Sequence, residues 1–474
     1  MKKVIDCLLI GYRTDENYSY YQDFANKFLD GQVVEKQFNG TISYLGTFLH
    51  RRGYSFDYIN YMEDEYDLLS EKLKNNSYMT ICLSTTYIMK MQTLVKLIKI
   101  IRMIKPDSKI VLGGPYIVNL LREKIIDKLV KNKLLKMINA DVIINDFQGE
   151  ATLCNILTAI REGECYESIP NLCYRMDNNY HYTHIIREDN KLEHNTVDWR
   201  LFADRIRSTV SIRTSQSCPF SCKFCNFHVI EGKYSYISVE AIERELNTLK
   251  SINKVKCINF VDDTFNMPKE RFRDILKMMI KNNYQFKWYS YIRCQFLDEE
   301  IVSLMKESKC LGVYLGIESG NQEMLNNMNK RADVSDFYRA IALLNKYGIV
   351  TYGTFFVGFP GETEDSVQDT IRFLNESGIT FYDIYQWRYD INTPISQEKE
   401  KYGLEGCDYE WKHNTMDSIK AREMCNKIVE SVMNSTRSQF DPTMFFLLLA
   451  IGCNIDMFTK YYNRSIQDFK RLTI

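Results

Sequence analysis

Three cysteines within one stretch of eight residues constrain this chain more than any other feature of its sequence. Cys218, Cys222 and Cys225 have the spacing C-x3-C-x2-C in the segment Cys218-Pro-Phe-Ser-Cys222-Lys-Phe-Cys225. Iron–sulfur clusters are held by cysteine thiolates, normally four, so three neighbouring thiolates would hold a cluster and leave one iron free to bind another molecule. His228 follows three residues later, and a Cys3His zinc site is the alternative that this spacing leaves open.

The remaining cysteines and the charge balance indicate a reduced, cytoplasmic protein. The chain has 14 cysteines, and those outside 218–225 are mostly single and scattered, as is ordinary for buried thiols in a reducing compartment. The formal net charge is +0, which predicts no general attraction to nucleic acid or to an anionic membrane. The opening residues lack the apolar core of a signal peptide, and the longest apolar run, 444–453, is too short to span a bilayer.

Alternating strand and helix patterns predict a doubly wound, Rossmann-like α/β domain at 1–164. Such a sheet binds ligands beyond the carboxyl ends of its strands. Residues 12–40 are expected to be an irregular insertion, and 165–207 a linker that contains a short hairpin. The predicted strands are 4–11, 55–60, 77–84, 109–115 and 141–145, and the predicted helices are 42–53, 92–104 and 150–161.

A second series of strands and helices predicts a partial, open (β/α)6 barrel of the TIM type at 208–395. In such barrels the chemistry lies at the carboxyl ends of the strands, and the cysteine loop follows the first of them. Residues 396–474 are expected to be helical, over 416–435, 444–453 and 455–471. They would cap the barrel mouth, which is the preferred interpretation, or form a subunit contact. The predicted barrel strands lie near 208–214, 257–262, 286–292, 311–317, 351–357 and 381–387, separated by helices at 239–251, 269–281, 298–308, 333–347 and 364–377.

Polar residues and glycines stand where the predicted barrel strands end. They are Asp262 and Asp263 after the second strand, Arg293 after the third, Glu318 and Ser319 after the fourth, and Gly358 after the fifth. Two adjacent carboxylates are costly to bury unless they meet a cation or hydrogen-bond donors, although Asp263 would alternatively cap the next helix. Arg293 suits a carboxylate or phosphate ligand, or else pairs with Asp262 or Glu318.

The cysteine spacing, with Phe224 before the third cysteine, resembles the signature of the radical S-adenosylmethionine (radical SAM) superfamily. Gly316-Ile-Glu318-Ser319-Gly320 and Gly358-Phe-Pro-Gly361-Glu362 resemble further elements of that family. The resemblance implies that the three cysteines bind a [4Fe–4S] cluster and that SAM chelates its fourth iron. A flavodoxin or ferredoxin would then be the electron donor. The implied SAM-binding residues are Phe224, Asp262, Asp263, Arg293, Glu318, Ser319 and Gly358.

The N-terminal half resembles the cobalamin-binding domain of many radical SAM enzymes. The matching stretches include Ile81-Cys-Leu-Ser84-Thr-Thr-Tyr87 and Val111-Leu-Gly-Gly-Pro-Tyr116. The motif Asp-x-His-x-x-Gly, whose histidine is the lower cobalt ligand, is absent, so cobalamin would bind without a protein histidine or would have been lost. The implied cobalamin-binding residues are Ser84, Thr85, Thr86, Gly113, Gly114 and Tyr116.

Together the two resemblances imply a cobalamin-dependent radical SAM methyltransferase that acts on an unactivated centre of a small molecule or peptide. The segment Arg213-Thr-Ser-Gln-Ser-Cys-Pro-Phe-Ser-Cys222 also resembles phosphinate P-methylases. Two alternatives stay open: non-methylating radical chemistry such as cyclisation, ring contraction or methylthiolation, and a non-catalytic cobalamin or metal sensor. A methylthiotransferase needs a second cluster, for which Cys7, Cys82 and Cys154 suffice by number.

Overall fold

The computed structural model describes residues 4–13, 18–31, 35–123, 126–438 and 440–462. The chain divides into two compact units. Residues 1–16 and 38–206 form the first unit, and residues 17–37 and 207–474 form the second.

The first unit is a seven-stranded sheet with helices packed on it. Its strands are β1 (Val4–Ile10), β2 (Phe56–Ile59), β3 (Ser77–Ser84), β4 (Ile110–Gly113), β5 (Val142–Ile144), β6 (Leu172–Met176) and β7 (Asn179–Tyr182). Helix α1 (Tyr18–Phe28) belongs to the second unit, and the first has α2 (Gly40–Arg51), α3 (Tyr66–Asn75), α4 (Met91–Ile104), α5 (Pro115–Arg122), α6 (Lys128–Ile138) and α7 (Glu150–Glu162).

The strand order β2-β1-β3-β4-β5-β6-β7 confirms the predicted doubly wound fold. Strands β1 to β5 are parallel, and the order 2-1-3-4-5 is that of flavodoxin, in which ligands bind at the switch point between β1 and β3. The hairpin predicted within 165–207 is β6 and β7, which pair antiparallel with β5 and extend the sheet. That segment is therefore largely part of the first unit and not a free connector.

The second unit is organised around a parallel sheet and two small antiparallel sheets. Its strands are β8 (Thr209–Ile212), β9 (Ser215–Gln216), β10 (Ser235–Tyr236), β11 (Cys257–Phe260), β12 (Lys287–Ile292), β13 (Cys310–Glu318), β14 (Val350–Val357), β15 (Phe381–Gln386), β16 (Glu405–Cys407), β17 (Glu410–His413), β18 (Met416–Asp417) and β19 (Thr436–Arg437). Its other helices are α8 (Phe227–Glu231), α9 (Val239–Ile252), α10 (Lys269–Lys281), α11 (Glu299–Glu307), α12 (Gln322–Asn327), α13 (Val334–Lys346), α14 (Glu364–Glu376), α15 (Lys399–Tyr402), α16 (Ser418–Ser431) and α17 (Pro442–Ala450).

The six predicted barrel strands are confirmed as β8, β11, β12, β13, β14 and β15. They lie side by side in that order, all parallel, and β19 adds a short seventh strand beside β15. Since every strand is parallel, all the carboxyl ends meet at one edge of the sheet. That edge is called the mouth below.

The prediction that residues 396–474 are helical is wrong in part. Strands β16, β17 and β18 form an antiparallel sheet within this segment. The helix predicted from residue 416 begins at Ser418, because the Asp417 side chain accepts from the Lys420 amide and caps it. Residues 455–462 are helical, and the rest of the helix predicted at 455–471 lies outside the described residues.

An apolar helix fills the inner side of the parallel sheet. In β12, Trp288 faces α10, where its ring lies 6.4 Å from Phe272, and the next residue, Tyr289, stacks on Phe446 of α17 at 5.0 Å. A Cβ on Gly312, near the start of β13, would lie 2.3 Å from the Phe446 ring. Helix α17 thus packs against the beginnings of the strands, and the prediction that it caps the mouth is wrong.

Helix α1 packs into the same apolar core as α17. Residues 12–40, expected to be an irregular insertion, are therefore partly helical. The Phe24 ring stacks on Phe458 at 5.0 Å and lies edge-on to Phe440 at 5.4 Å. Phe24 and Phe458 are both fully buried, so α1 is anchored by an apolar ring although the sequence around it is polar. Within the described part of the chain, no helix is long and apolar enough to cross a membrane.

Replacing Phe446 by alanine should destabilise the second unit strongly. The ring is fully buried between Tyr289 and Tyr314, and removing a buried phenylalanine ring costs about 3–5 kcal/mol. Urea unfolding followed by near-ultraviolet circular dichroism measures the loss. Met433→Ala is the control, because Met433 is 82% exposed; an equal loss in both variants contradicts the assigned packing.

Candidate cluster and SAM site

The three cysteines lie in the loop between β9 and α8, which follows β8 at the mouth. A backbone hydrogen bond from Cys225 N to Cys222 O, 3.1 Å long, closes the turn between the last two. Burial raises the pKa of the Cys225 thiol to about 11, with contributions from Cys222, Asp263 and Cys218. When the three thiols ionise, the loop carries a concentrated negative charge, and a bound cationic metal centre would compensate that charge.

Each cysteine sulfur has a polar neighbour. Cys218 Sγ lies 3.5 Å from Thr264 Oγ1, and the Phe227 amide donates to Cys225 Sγ at 3.4 Å. The neighbour of Cys222 Sγ is different, because there the donor is the Nη2 of Arg293, at 3.1 Å.

Asp262 anchors the chain that leads into the cysteine loop. Its Oδ1 accepts hydrogen bonds from the amides of Thr214 and Ser215 at 2.7 and 2.9 Å, and its Oδ2 accepts from the Thr214 hydroxyl. Burial raises the pKa of this carboxyl, and the same hydrogen bonds oppose the shift. Arg271 supports the strand from behind by donating to Thr214 O and Ile237 O, both at 2.9 Å.

Asp263, the second member of the predicted pair, is exposed at the mouth. Desolvation by the surrounding walls raises its pKa to about 7, and the carboxylates of Asp262 and Glu231 add to the shift. The two adjacent acids therefore have separate roles: Asp262 holds backbone, and Asp263 remains available to a cation.

Glu318 ends β13 in a left-handed backbone conformation, with φ at 68°. Such a conformation is uncommon for a residue with a side chain and is typical of functional sites. Its carboxylate pairs with Lys330 Nζ at 2.7 Å, and the two side chains are 12% and 8% exposed. Ser319 faces the other way: it is fully buried, and its Oγ accepts from the Asn321 amide and lies 3.4 Å from Thr370 Oγ1 of α14.

Gly358, after β14, lies under the C-terminal antiparallel sheet. Its φ is 106°, and a Cβ there would lie 2.3 Å from the Trp411 ring. His413 Nε2 lies 3.1 Å from Gly358 O. The Thr415 amide lies 3.4 Å from His413 Nδ1 and can only donate, so Nδ1 is the acceptor. The imidazole proton is therefore on Nε2, which donates to Gly358 O. Burial lowers the pKa of His413, which favours this neutral form.

A line of aromatic rings joins this turn to the cysteine loop. Phe224 packs edge-on to Phe356 at 5.0 Å, and Phe359 lies 5.3 Å from Trp387. Trp387 in turn lies 5.2 Å from Trp411. Packing therefore fixes the turn after β14 relative to the residue beside Cys225.

The seven predicted SAM contacts divide by exposure into two groups. Phe224, Asp263 and Glu318 keep accessible surface, whereas Asp262, Arg293, Ser319 and Gly358 are buried. Asp262 and Ser319 accept hydrogen bonds from backbone amides, and Gly358 O accepts from His413. Arg293 donates to a sulfur and a carbonyl, and it pairs with neither Asp262 nor Glu318, although the sequence allowed either pair.

In the first unit, five of the six predicted cobalamin contacts keep accessible surface at the carboxyl edge of the sheet. The exception, Thr85, is fully buried; its hydroxyl donates to Gly113 O at 2.8 Å and accepts from the Ile117 amide at 3.3 Å. Gly114 has φ at 103°, and a Cβ there would lie 3.0 Å from Thr85 Oγ1. Thr85 therefore joins the end of β3 to α5, and the other five residues surround that junction.

Comparison with known proteins decides the identity of the second unit. Residues 212–374 match the family model of the Radical SAM superfamily. These residues form a radical SAM domain. Such a domain holds a [4Fe–4S] cluster and SAM, and the match includes all three cysteines of the loop and the ends of β8 to β14.

Two curated relatives illustrate the range of activities among similar proteins. An uncharacterized methyltransferase of Pyrococcus horikoshii is 33% identical over 171 residues, which are 36% of this chain and 37% of the relative. An anaerobic magnesium-protoporphyrin IX monomethyl ester cyclase of Cereibacter sphaeroides is 22% identical over 421 residues, 84% of this chain and 66% of the relative. The matches thus span about a third to two thirds of these relatives.

Two solved structures share the fold over most of the chain. The radical SAM methyltransferase TsrM from Kitasatospora setae, with cobalamin and a [4Fe–4S] cluster bound, superposes with a TM-score of 0.64 and 16% identity, covering 85% of this chain and 75% of that one. The cobalamin-dependent SAM radical enzyme OxsB, with aqua-cobalamin and SAM bound, gives 0.61 and 16%, covering 89% and 56%. At this identity the superpositions establish the fold.

The cysteine loop of the radical SAM domain fits a cluster better than a zinc ion. Among the described residues, no three His, Cys, Asp or Glu side chains converge on a point where they would hold one metal ion. A zinc site requires four ligands about 2.0–2.3 Å from one ion, whereas a cluster distributes its cysteines over separate irons. The buried guanidinium of Arg293, which donates to Cys222 Sγ, also favours an anionic sulfur.

The three cysteines of the first unit that a second cluster would need are all buried. Cys7 lies on β1, Cys82 on β3 and Cys154 on α7. Burial raises the pKa of Cys154 to about 12 and that of Cys7 far above its usual value. Thiols buried in apolar surroundings are ordinarily inert structural residues.

Sequence reasoning missed the residues that support the mouth from distant parts of the chain. Lys330, the partner of Glu318, lies in the stretch Met328-Asn-Lys330 after α12, which is typical of the radical SAM family, but nothing in the sequence assigned the lysine a role. Trp411 and His413 lie in the C-terminal segment, where no motif marked them. An alternating pattern in β17, with Trp411 and His413 buried between exposed residues, was the available signal.

Replacing Asp262 by alanine should reduce the iron bound after anaerobic reconstitution. The change leaves the amides of Thr214 and Ser215 without their acceptor, and each buried donor left unpaired costs about 1–3 kcal/mol. Asp262→Asn is the matched control, since its amide oxygen still accepts from both amides. Iron per chain measures the effect; full iron in the alanine variant contradicts the anchoring role.

Proposed function

We propose that this chain is a cobalamin-dependent radical SAM methyltransferase that acts on a small-molecule or peptide substrate. The observation that carries the proposal is the combination, in one chain, of a cluster loop at the mouth of a partial barrel and a flavodoxin-type sheet. The names of the P. horikoshii relative and of TsrM support methyl transfer. A flavodoxin or ferredoxin would supply the electron.

Cys218, Cys222 and Cys225 would hold the cluster, and three accessible residues at the mouth would position SAM. Bound cluster and SAM supply a 5′-deoxyadenosyl radical, and a bound corrinoid supplies the methyl group. Asp263 carries a carboxylate that can accept from the SAM ammonium, and Phe224 offers an apolar ring beside the cysteines. Glu318, fixed by its pair with Lys330, offers an acceptor for the hydroxyls of SAM.

In the first unit, the cobalamin would lie at the carboxyl edge of the sheet. Ser84 and Thr86 provide hydroxyls there, 2.9 Å from each other. The backbone of Gly113 and Gly114 allows close approach because neither residue has a side chain, and Tyr116 opens the following helix. The switch point between β1 and β3, where such sheets bind ligands, is beside Ser84.

On the inner side of the second unit, two exposed tyrosines mark a surface for the substrate. Tyr291 and Tyr385 are 40% and 48% exposed, although both stand on inner-facing positions of β12 and β15. Tyr291 stacks on Tyr314 at 4.4 Å, and the Tyr385 hydroxyl donates to Asp383. Each phenol ring is therefore fixed by a neighbour and still accessible.

The decisive experiment is reductive cleavage of SAM by anaerobically reconstituted protein. With reductant and cobalamin, the wild type should bind a corrinoid and form both 5′-deoxyadenosine and S-adenosylhomocysteine. Cys222→Ala should form neither, because the cluster loses a ligand. Cys453→Ala is the matched control, since Cys453 lies in the hydrophobic core around α17 and not in the cysteine loop. Intact SAM in the wild type refutes the proposal in favour of a sensor.

The same reaction mixture separates methyl transfer from other radical chemistry. Formation of 5′-deoxyadenosine without S-adenosylhomocysteine, in protein that binds no corrinoid, would indicate a non-methylating enzyme such as a cyclase. Two clusters per chain by iron and sulfide analysis would indicate a methylthiotransferase.

SAM binding should strengthen as pH rises through about 7. The pKa of Asp263 is raised to about 7, first by desolvation, so its anionic form, which attracts the SAM ammonium, is present only above that pH. Equilibrium dialysis of reconstituted protein against SAM measures the trend. Asp263→Asn should remove the pH dependence and weaken binding about tenfold at high pH, which is ~1.4 kcal/mol.

Asp274→Asn is the control for that measurement, because Asp274 lies exposed on α10 and its loss changes the net charge equally. An undiminished pH dependence in the Asp263 variant would show that another group binds the ammonium.

A further inference from the structure

Arg293 lies behind the cysteine loop and contacts one cluster ligand directly. Its Nη2 donates to Cys222 Sγ at 3.1 Å, and its Nη1 donates to Lys330 O at 2.7 Å. The guanidinium also lies flat on the Phe220 ring, 3.6 Å from the centroid. The orientation of Arg293 is therefore fixed on three sides, and Cys222 lies on one of them.

The backbone of Arg293 is fixed as well. Its amide donates to Asn266 Oδ1 at 3.0 Å, and Asn266 Nδ2 donates back to Arg293 O at 2.8 Å. Asn266 is almost fully buried. This reciprocal pair holds the end of β12 so that the guanidinium reaches the sulfur without freedom to turn toward the mouth.

The charge of Arg293 has no carboxylate partner within the part of the chain that the structure describes. The residue is 8% exposed, and a buried cation is costly unless it meets an anion. Its acceptors are a carbonyl oxygen, a sulfur and an aromatic ring. The anion that compensates it is therefore the Cys222 thiolate and whatever that thiolate binds.

The three cysteine sulfurs thus have unequal surroundings. Cys225 Sγ accepts from a neutral backbone amide, and Cys218 Sγ lies beside a neutral hydroxyl. Only Cys222, among the three, has a charged donor. Hydrogen bonds that involve a charged group are roughly twice as strong as neutral ones.

We propose that Arg293 raises the reduction potential of the cluster by its charge-assisted hydrogen bond to Cys222 Sγ. This inference rests on the proposed function only in that a cluster occupies the loop. Reduction adds negative charge to the cluster, and a fixed positive charge and hydrogen bonds to its sulfurs stabilise the reduced form. Arg293 is a tuning and positioning residue, not a contact for SAM.

The test is a potentiometric titration of the reconstituted cluster, followed by electron paramagnetic resonance without SAM. Arg293→Gln keeps a donor but removes the charge, and it should lower the equilibrium constant for reduction at least tenfold, which is about 59 mV for a one-electron couple. Arg293→Lys keeps the charge without the planar contact to Phe220 and should lie between the Gln variant and wild type.

Lys346→Met is the matched control, because it removes a positive charge from the same unit at a surface ion pair with Glu299. Its cluster should titrate as the wild type does. Iron content is measured first in every variant, so that loss of the cluster is separated from a change in its potential.

Three outcomes would decide the proposal. A Gln variant with full iron and an unchanged potential overturns it, as does an equal shift in the Lys346 control. If the Gln variant does not retain iron, the Lys variant decides. A Lys variant that retains iron and has the same reduction potential as the wild type also overturns the proposal. A wild type that assembles no cluster instead refutes the proposed function.

Discussion

The mouth of the radical SAM domain depends on two buried charges that are each satisfied locally. Asp262 accepts three hydrogen bonds from the chain entering the cysteine loop. Arg293 donates to Cys222 Sγ within the loop and to Lys330 O outside it. A buried ion without such partners would be strongly destabilising. Because both are compensated by the backbone and by the ligands themselves, neither requires Asp263 or Glu318. Glu318 instead compensates the buried Lys330, and Asp263 keeps its exposed carboxylate.

The architecture followed from the sequence because parallel strands buried on both faces are short, continuous apolar runs. Such runs, ended by glycine or a polar residue, placed all six barrel strands within a few residues of their observed bounds. The C-terminal segment was harder. Strands β16 to β18 have only two to four residues each, too few for an alternating pattern to stand out against the helices on either side.

The direction of individual side chains did not follow from the sequence in the same way. Asp262 and Asp263 are adjacent in sequence, yet one binds backbone 48 residues away and the other faces solvent. Arg293 reaches a sulfur 71 residues away, which no local pattern encodes. Both contacts became visible only with the three-dimensional neighbours, since each joins residues that are far apart in the sequence.

Helix α1 gives the chain an unusual order of assembly. Its buried ring, Phe24, packs against Phe440 and Phe458, which are translated more than 400 residues later. The sheet of the first unit can form meanwhile, because its strands all lie within residues 4–182. The second unit can close only when translation has passed residue 458, so the apolar face of α1 waits for its partners while the intervening residues are made.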